Sequence, residues 1–308
     1  MGLRGPWHEA GYDRLVPTAS VVKNKVQILQ SARLQRMPWL VHGFSTRGAG
    51  VSRIYGGKAL NLGFTAQDSR VAVERNRQIF LEELGVARGR NRWPLISLRQ
   101  IHSDLIFRVD RTSEETQAGD GLITDTPGLL IAVQTADCVP IILVDRKRRS
   151  VGVFHAGWRG TVKRIAEKGV GEMRKYFGSE PKDVLAAIGP GVQACCYDVG
   201  EEVRSKFLAQ FSYAESLFRE VKESDPVREK YPLLFLSARA PGHSDLPTKL
   251  FLDLREANKR QLMDAGLPAR NIDDAFPCTA CHTDLLFSYR AEKGVTGRMM
   301  AAVGIRPT

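Results

Sequence analysis

Three polar interruptions stand out because each falls at the end of an apolar, strand-like run: Gln100-Ile101-His102, Ala136-Asp137-Cys138 and His155-Ala156-Gly157. Loops at strand ends, carried by a rigid sheet, are where reactive groups are commonly presented. One cysteine and two histidines make a ligand set suited to a single Zn²⁺ whose fourth position stays open to water. An open position permits chemistry, because zinc lowers the pKa of its water toward neutrality and supplies a nucleophile. A fourth protein ligand would instead make the site structural. Asp137, beside Cys138, is a candidate partner for a ligating imidazole. Spacing alone keeps a blander reading open, in which Cys138 packs as a small hydrophobe and the histidines are satisfied core residues.

The other cysteines offer competing chemistry. Cys278-Thr279-Ala280-Cys281-His282 matches the C-x-x-C-H pattern of haem attachment. That attachment needs export, and residues 1–36 hold no long apolar run of the kind that directs export or spans a membrane. Pro277-Cys278-x-x-Cys281 also matches half of the nucleobase-deaminase signature. Its H-x-E half is approximated only by His243-Ser244-Asp245, with a carboxylate one methylene too short. Two packed thiols at a turn remain the simpler reading. Five cysteines is an odd number, and the adjacent Cys195 and Cys196 could pair with each other only under strain. A reduced, cytoplasmic setting is expected.

Arginines beside glycine-bearing turns suggest an anionic ligand. Arg47 precedes the loop Gly48 to Gly57, Arg159 follows Trp158, and Arg290 follows Tyr289. Guanidinium groups grip phosphate through paired donors. Trp158 and Tyr289 can stack a base or a sugar, although buried aromatics usually serve the core.

The elements that must position these groups can be read from hydrophobic pattern. Strands are expected at Val41–Thr46, Leu95–Leu98, Ile106–Val109, within Leu129–Val144, and at Ser150–Phe154, Val184–Ile188, Leu285–Tyr289 and Met299–Ile305. Helices are expected at Val71–Leu84, Thr161–Phe177, Val199–Phe211 and Leu252–Ala265, three of them followed at once by Gly85, Gly178 and Gly266. Interleaving without regular βαβ spacing predicts an α/β (α+β) single domain, a mixed β-sheet core layered by helices. Residues 1–36 are expected to form a weakly structured basic extension, and 216–249 an insertion within a catalytic domain spanning 37–308.

With 308 residues the chain can bury a substantial core, and its charge of +11 is concentrated at one end. Residues 1–53 carry eight Lys/Arg against Glu9 and Asp13. Arg146-Lys147-Arg148-Arg149 reads as a solvated hairpin turn between two strands. No helix-turn-helix, zinc-finger or RNP-like pattern accompanies the charge, so neither nucleic acid nor a membrane is an expected partner. Six histidines, none in H-x-H, also fall short of the roughly ten imidazoles of a multicopper centre.

Read together, the segments resemble the laccase-domain family, also called YfiH-type or multicopper-polyphenol-oxidase-like. Those carrying the resemblance include His42-Gly43-Phe44-Ser45-Thr46-Arg47, Leu60-Asn61-Leu62-Gly63, Gln100-Ile101-His102, Gly119-Asp120-Gly121 and Thr135-Ala136-Asp137-Cys138. His155-Ala156-Gly157-Trp158-Arg159-Gly160, Cys195-Cys196-Tyr197-Asp198-Val199-Gly200, Ser288-Tyr289-Arg290 and Thr296-Gly297-Arg298 continue the series in family order. The resemblance implies zinc ligands at His102, Cys138 and His155, with copper the less expected metal. It implies phosphorolysis of adenosine, inosine or methylthioadenosine to base and ribose-1-phosphate, together with adenosine deaminase activity. Asp137 is then the expected proton-moving carboxylate, while Arg47, Arg159, Arg290 and Trp158 are expected to bind substrate and phosphate. Partners are limited to purine nucleoside and phosphate, with a homodimer as the one assembly envisaged. A peptidoglycan-editing hydrolase and a copper-dependent polyphenol oxidase are the family's alternative activities. The chain departs from the family's R-x-G-G loop, reading Arg47-Gly48-Ala49-Gly50.

Overall fold

A computed structural model describes residues 25–88, 91–110, 116–222 and 248–307. Two mixed sheets stack face to face, with helices on both outer surfaces. The first sheet runs β1 (Ile28–Leu29), β2 (Leu40–Ser45), β16 (Met299–Ile305), β8 (Leu130–Thr135), β5 (Leu95–Ser97). The second runs β15 (Ile272–Asp273), β11 (Val184–Ile188), β9 (Val139–Asp145), β10 (Ser150–Ala156), β7 (Gly121–Thr124), β6 (Ile106–Arg108). Two small sheets sit beside them: β3 (Ala87–Arg88) with β4 (Asn91–Arg92), and β12 (Asp198–Val199), β14 (Thr248–Leu252), β13 (Phe218–Lys222).

Side-chain alternation explains the layering. In β9, Ile142 and Val144 face the first sheet, while Ile141 and Leu143 face the helices. In β16, Ala301, Val303 and Ile305 meet the second sheet, and Met300 and Ala302 meet the first helix layer. That layer is α1 (Arg70–Glu83), which contributes Phe80 and Leu81. The opposite layer holds α2 (Trp158–Val162), α3 (Ile165–Phe177), α4 (Glu201–Gln210) and α5 (Leu254–Asp264). A single mixed α/β domain is therefore observed, but its core is two sheets where the sequence suggests one.

Other differences are local. The expected helix over Thr161–Phe177 breaks into α2 and α3, because Arg164 adopts a left-handed conformation with φ 65°. Leu285–Tyr289 forms no strand: its backbone turns through Leu286 N–H donating to the His282 carbonyl, and Ser288 Oγ is turned toward Asp137. Residues 25–36, expected to belong to a loose extension, are built into the sheet. Ile28 and Leu29 pair with Ser45 and Phe44, and Leu34 is fully buried. Of the expected insertion, Phe218–Lys222 and Thr248–Leu252 form the paired strands β13 and β14, and residues 223–247 lie outside the described residues. The basic run 146–149 is the β9–β10 turn, with the Asp145 carboxylate accepting from the backbone of Lys147 and Arg148. Among the described residues, no helix is long and apolar enough to cross a membrane.

Candidate metal centre

His102, Cys138 and His155 converge from two connections between the sheets and the end of one strand. His102 lies on the segment leading from β5 to β6, Cys138 on the turn from β8 to β9, and His155 near the end of β10. Their ligand atoms all lie within 4.8 Å of one another. Cys138 Sγ is 3.8 Å from His102 Nε2, and the two imidazole rings meet edge to face with centroids 4.9 Å apart. A tetrahedral zinc with ordinary Zn–S and Zn–N bonds sets its sulfur and nitrogen ligands about 3.6 Å apart. The donor set therefore fits one such ion, with three protein ligands and the cavity on the fourth side.

Asp120 organises two of the three ligands. One of its oxygens accepts from His155 Nδ1 at 2.8 Å, which leaves Nε2 for a metal. Its carboxylate also accepts from the backbone N–H groups of His102 (3.1 Å) and Ser103 (2.5 Å), and from Ser103 Oγ (2.7 Å). Gln100 and Gln134 fix the same segment to β8 through a reciprocal pair of 2.7 and 2.8 Å. Gly157 is needed for space, since a Cβ there would lie 2.8 Å from Cys138 Sγ and 3.0 Å from His102 Cδ2. Two non-glycine residues with positive φ, His102 (56°) and Asp137 (94°), mark backbone strain at the site.

The electrostatics favour an ion pair ready for metal. Burial opposes ionisation of Cys138, but the His155 imidazolium and hydrogen bonds with both histidines outweigh it and bring the thiol down to about 6. Burial likewise opposes charge on His155, yet the thiolate and Asp120 raise it to about 9. Asp120 falls to about 2 against its own burial, through hydrogen bonds from His155 and Ser103.

A cavity of about 620 Å³ opens over the three ligands. Its wall includes Asp137, Tyr197, Tyr289, Arg290 and Arg298. The Arg290 guanidinium pairs with Asp198 and lies 5.1 Å over the Tyr197 ring, while Arg298 lies 5.5 Å over Tyr289. Of the expected substrate residues, Arg290 reaches the cavity and three do not. Arg47 is spent on structure: it donates to the Thr283 and Tyr55 carbonyls and pairs with Glu292 at 3.0 Å. Trp158 packs partly buried against the helical side of the core, with the exposed Arg159 stacked on it at 4.4 Å.

Asp137 also differs from expectation. Its oxygens accept from Thr279 Oγ1 (2.6 Å), Ser288 Oγ (2.7 Å) and the Arg290 N–H (2.7 Å), so it anchors the cavity wall. The carboxylate that holds the His155 imidazole is Asp120. The sequence signal for Asp120 is an acidic residue between Gly119 and Gly121 at a strand start. Arg298 stands out in the sequence only as the end of Thr296-Gly297-Arg298. Cys278 and Cys281 are the residues that fit the haem-attachment pattern and half of the nucleobase-deaminase pattern. His243 lies outside the described residues, and the two cysteines gather instead with Cys195 and Cys196.

Comparison with known proteins identifies the family and the fold. The family model described as multi-copper polyphenol oxidoreductase laccase matches residues 41–306. The purine nucleoside phosphorylase YlmD of Geobacillus stearothermophilus is 34% identical over 286 residues, 87% of this chain and 94% of that protein. A protein named adenosine deaminase RL5, from an unknown prokaryotic organism, is 34% identical over 68% of this chain and 74% of its own length. The crystal structure of YlmD from G. stearothermophilus superposes with a TM-score of 0.71 at 32% identity, covering 92% of this chain and all of that one. A shared fold and a family match over most of the length leave one assignment: this chain is a member of the multi-copper polyphenol oxidoreductase laccase family.

Proposed function

We propose that this chain is a zinc-dependent purine nucleoside enzyme that cleaves adenosine, inosine or methylthioadenosine with phosphate and also deaminates adenosine. The observation that carries the reading is the set of three ligands, His102, Cys138 and His155, beneath a cavity whose wall combines tyrosines with arginines. A cavity of this volume falls in the range of small-molecule sites. The names of YlmD and RL5 supply the two reactions.

Within this reading each residue has a defined task. Zinc, when bound, supplies Lewis acidity at the position facing the cavity. His102, Cys138 and His155 hold it, and Asp120 fixes the His155 tautomer. Tyr197 and Tyr289 line the cavity and give the purine aromatic surface to pack on. Arg290, which also pairs with Asp198, and Arg298, whose Nη1 donates to the Thr296 and Gly297 carbonyls, hold phosphate through their remaining N–H donors. Asp137 acts as a positioning residue, because it holds the Arg290 backbone and the Ser288 hydroxyl.

The test is incubation with adenosine, with and without phosphate, followed by product identification. Phosphate-dependent adenine with ribose-1-phosphate is expected, and inosine with ammonia independently of phosphate. Cys138→Ala should lose its metal at this site and both activities. Full activity in a Cys138→Ala protein lacking metal there would sink the reading. Copper with phenol oxidation and no nucleoside turnover would replace it.

A further inference from the structure

A second group of metal-ligating side chains lies outside the cavity site. Cys195 and Cys196 precede β12, Cys278 and Cys281 follow β15, and their four Sγ atoms lie within 4.8 Å of one another. Cys281 Sγ is 3.3 Å from Cys196 Sγ and 3.5 Å from Cys195 Sγ. A ZnS₄ tetrahedron with Zn–S bonds of about 2.3 Å has edges of about 3.8 Å. These sulfurs are thus spaced as ligands of one ion, whereas a disulfide needs about 2.05 Å and joins only two of them. An iron–sulfur cluster, whose thiolates surround several metal atoms, would hold them further apart.

The backbone around the four sulfurs is already tied together. Thr279 N–H donates to the Gly191 carbonyl (3.1 Å), and the Gln193 carbonyl accepts from both Cys196 and Tyr197 (2.9 Å each). The Gln193 N–H points at Cys278 Sγ at 3.4 Å, a donor suited to a thiolate, and its side chain donates to the Phe276 carbonyl at 2.8 Å. Cys278 and Cys281 keep the C-x-x-C spacing of thiolate sites.

We propose that Cys195, Cys196, Cys278 and Cys281 bind a second zinc ion, closed by four thiolates, that clips the two loops framing the cavity. Binding releases the thiol protons to solvent and involves no change of oxidation state. With all four positions taken by protein, the ion has no open site and its role is structural. The neighbours of these cysteines show what it would hold. Tyr197 lines the cavity, Asp198 pairs with Arg290, and Thr279 donates to Asp137.

The test separates this site from the cavity site by working in full-length Cys138→Ala protein, purified under reducing conditions. Elemental analysis should give two zinc ions per chain in the unsubstituted protein and one in Cys138→Ala. X-ray absorption of the latter should show a sulfur-only shell near about 2.3 Å. Exchange with Co²⁺ in Cys138→Ala should produce a thiolate-to-cobalt charge-transfer band, absent when Cys281→Ser is added. Cys138→Ala protein that holds no metal and develops no such band would overturn the proposal. So would an intact mass lower by two hydrogens with two of the four cysteines protected from alkylation, which would show a disulfide. Because every readout is a metal or a mass, failure of the nucleoside assays leaves this result unaffected.

Discussion

Asp120 serves two ligands with one buried carboxylate: it fixes the His155 ring and pins the backbone that carries His102. Asp120→Asn keeps the shape but removes the charge-assisted bond, and should weaken metal affinity at the cavity site about 10–100-fold. Competition with a chelator, monitored in the reduced protein, measures this loss. The paired shifts of Cys138 (to about 6) and His155 (to about 9) give that affinity a pH dependence. Between these values the thiolate is already formed, so zinc displaces one proton, from His155, and affinity should rise about tenfold per pH unit. Below about pH 6 a second proton must leave Cys138, and the slope contributed by the pair should double. Titration of affinity against pH checks both limbs. Residue type and strand-end position made His102, Cys138 and His155 visible in the sequence. Asp120 was not, since one aspartate between glycines looks like any turn until its hydrogen bonds are seen.

At the scale of elements, the strands buried on both faces were the easiest to read. Val184–Ile188 and Met299–Ile305 are found where their unbroken apolar pattern puts them. Leu285–Tyr289 begins with an equally apolar run but forms loop, and its Ser288 hydroxyl donates to Asp137. The loop after β2 shows why glycine order matters. A Cβ at Gly50 would lie 2.2 Å from the Ala59 carbonyl oxygen, whereas Ala49 holds φ 63° with a Cβ already present. Ala49→Gly relieves left-handed strain of about 1–2 kcal/mol and loses part of that to the flexibility of the unfolded chain. It should leave the thermal midpoint equal or slightly raised, while Gly50→Ala should lower it by several degrees; calorimetry distinguishes them. In β2, burial pushes His42 down to about 4, and its Nε2 accepts the Ser31 N–H. The folded state therefore keeps this ring neutral. Its contribution is complete above the ordinary value of 6.5 and is lost as pH falls toward 4, up to about 3 kcal/mol. Denaturant unfolding between these pH values should show an acid slope that His42→Gln flattens.

Across the whole molecule, the two-sheet arrangement was hidden because an apolar strand face reads the same whether a helix or another sheet covers it. The cysteine quartet was hidden for a related reason. Its halves are separated by more than eighty residues, and only the long return through β14 and α5 brings them together. Charge was a poor guide. The basic cluster 146–149 is a turn engaging Asp183 through Lys147 at 2.8 Å, and it is Arg290 and Arg298 that line the cavity. The strand order has a further consequence for how the protein matures. All three cavity ligands have been synthesised by His155, yet β16, which sits between β2 and β8 at the heart of the first sheet, is made after every other described strand. The turn bearing Cys138 hangs from β8, so its scaffold is completed only when β16 is inserted between its neighbours. Any metal at the cavity would therefore meet its finished three-residue scaffold only after β16 has been made.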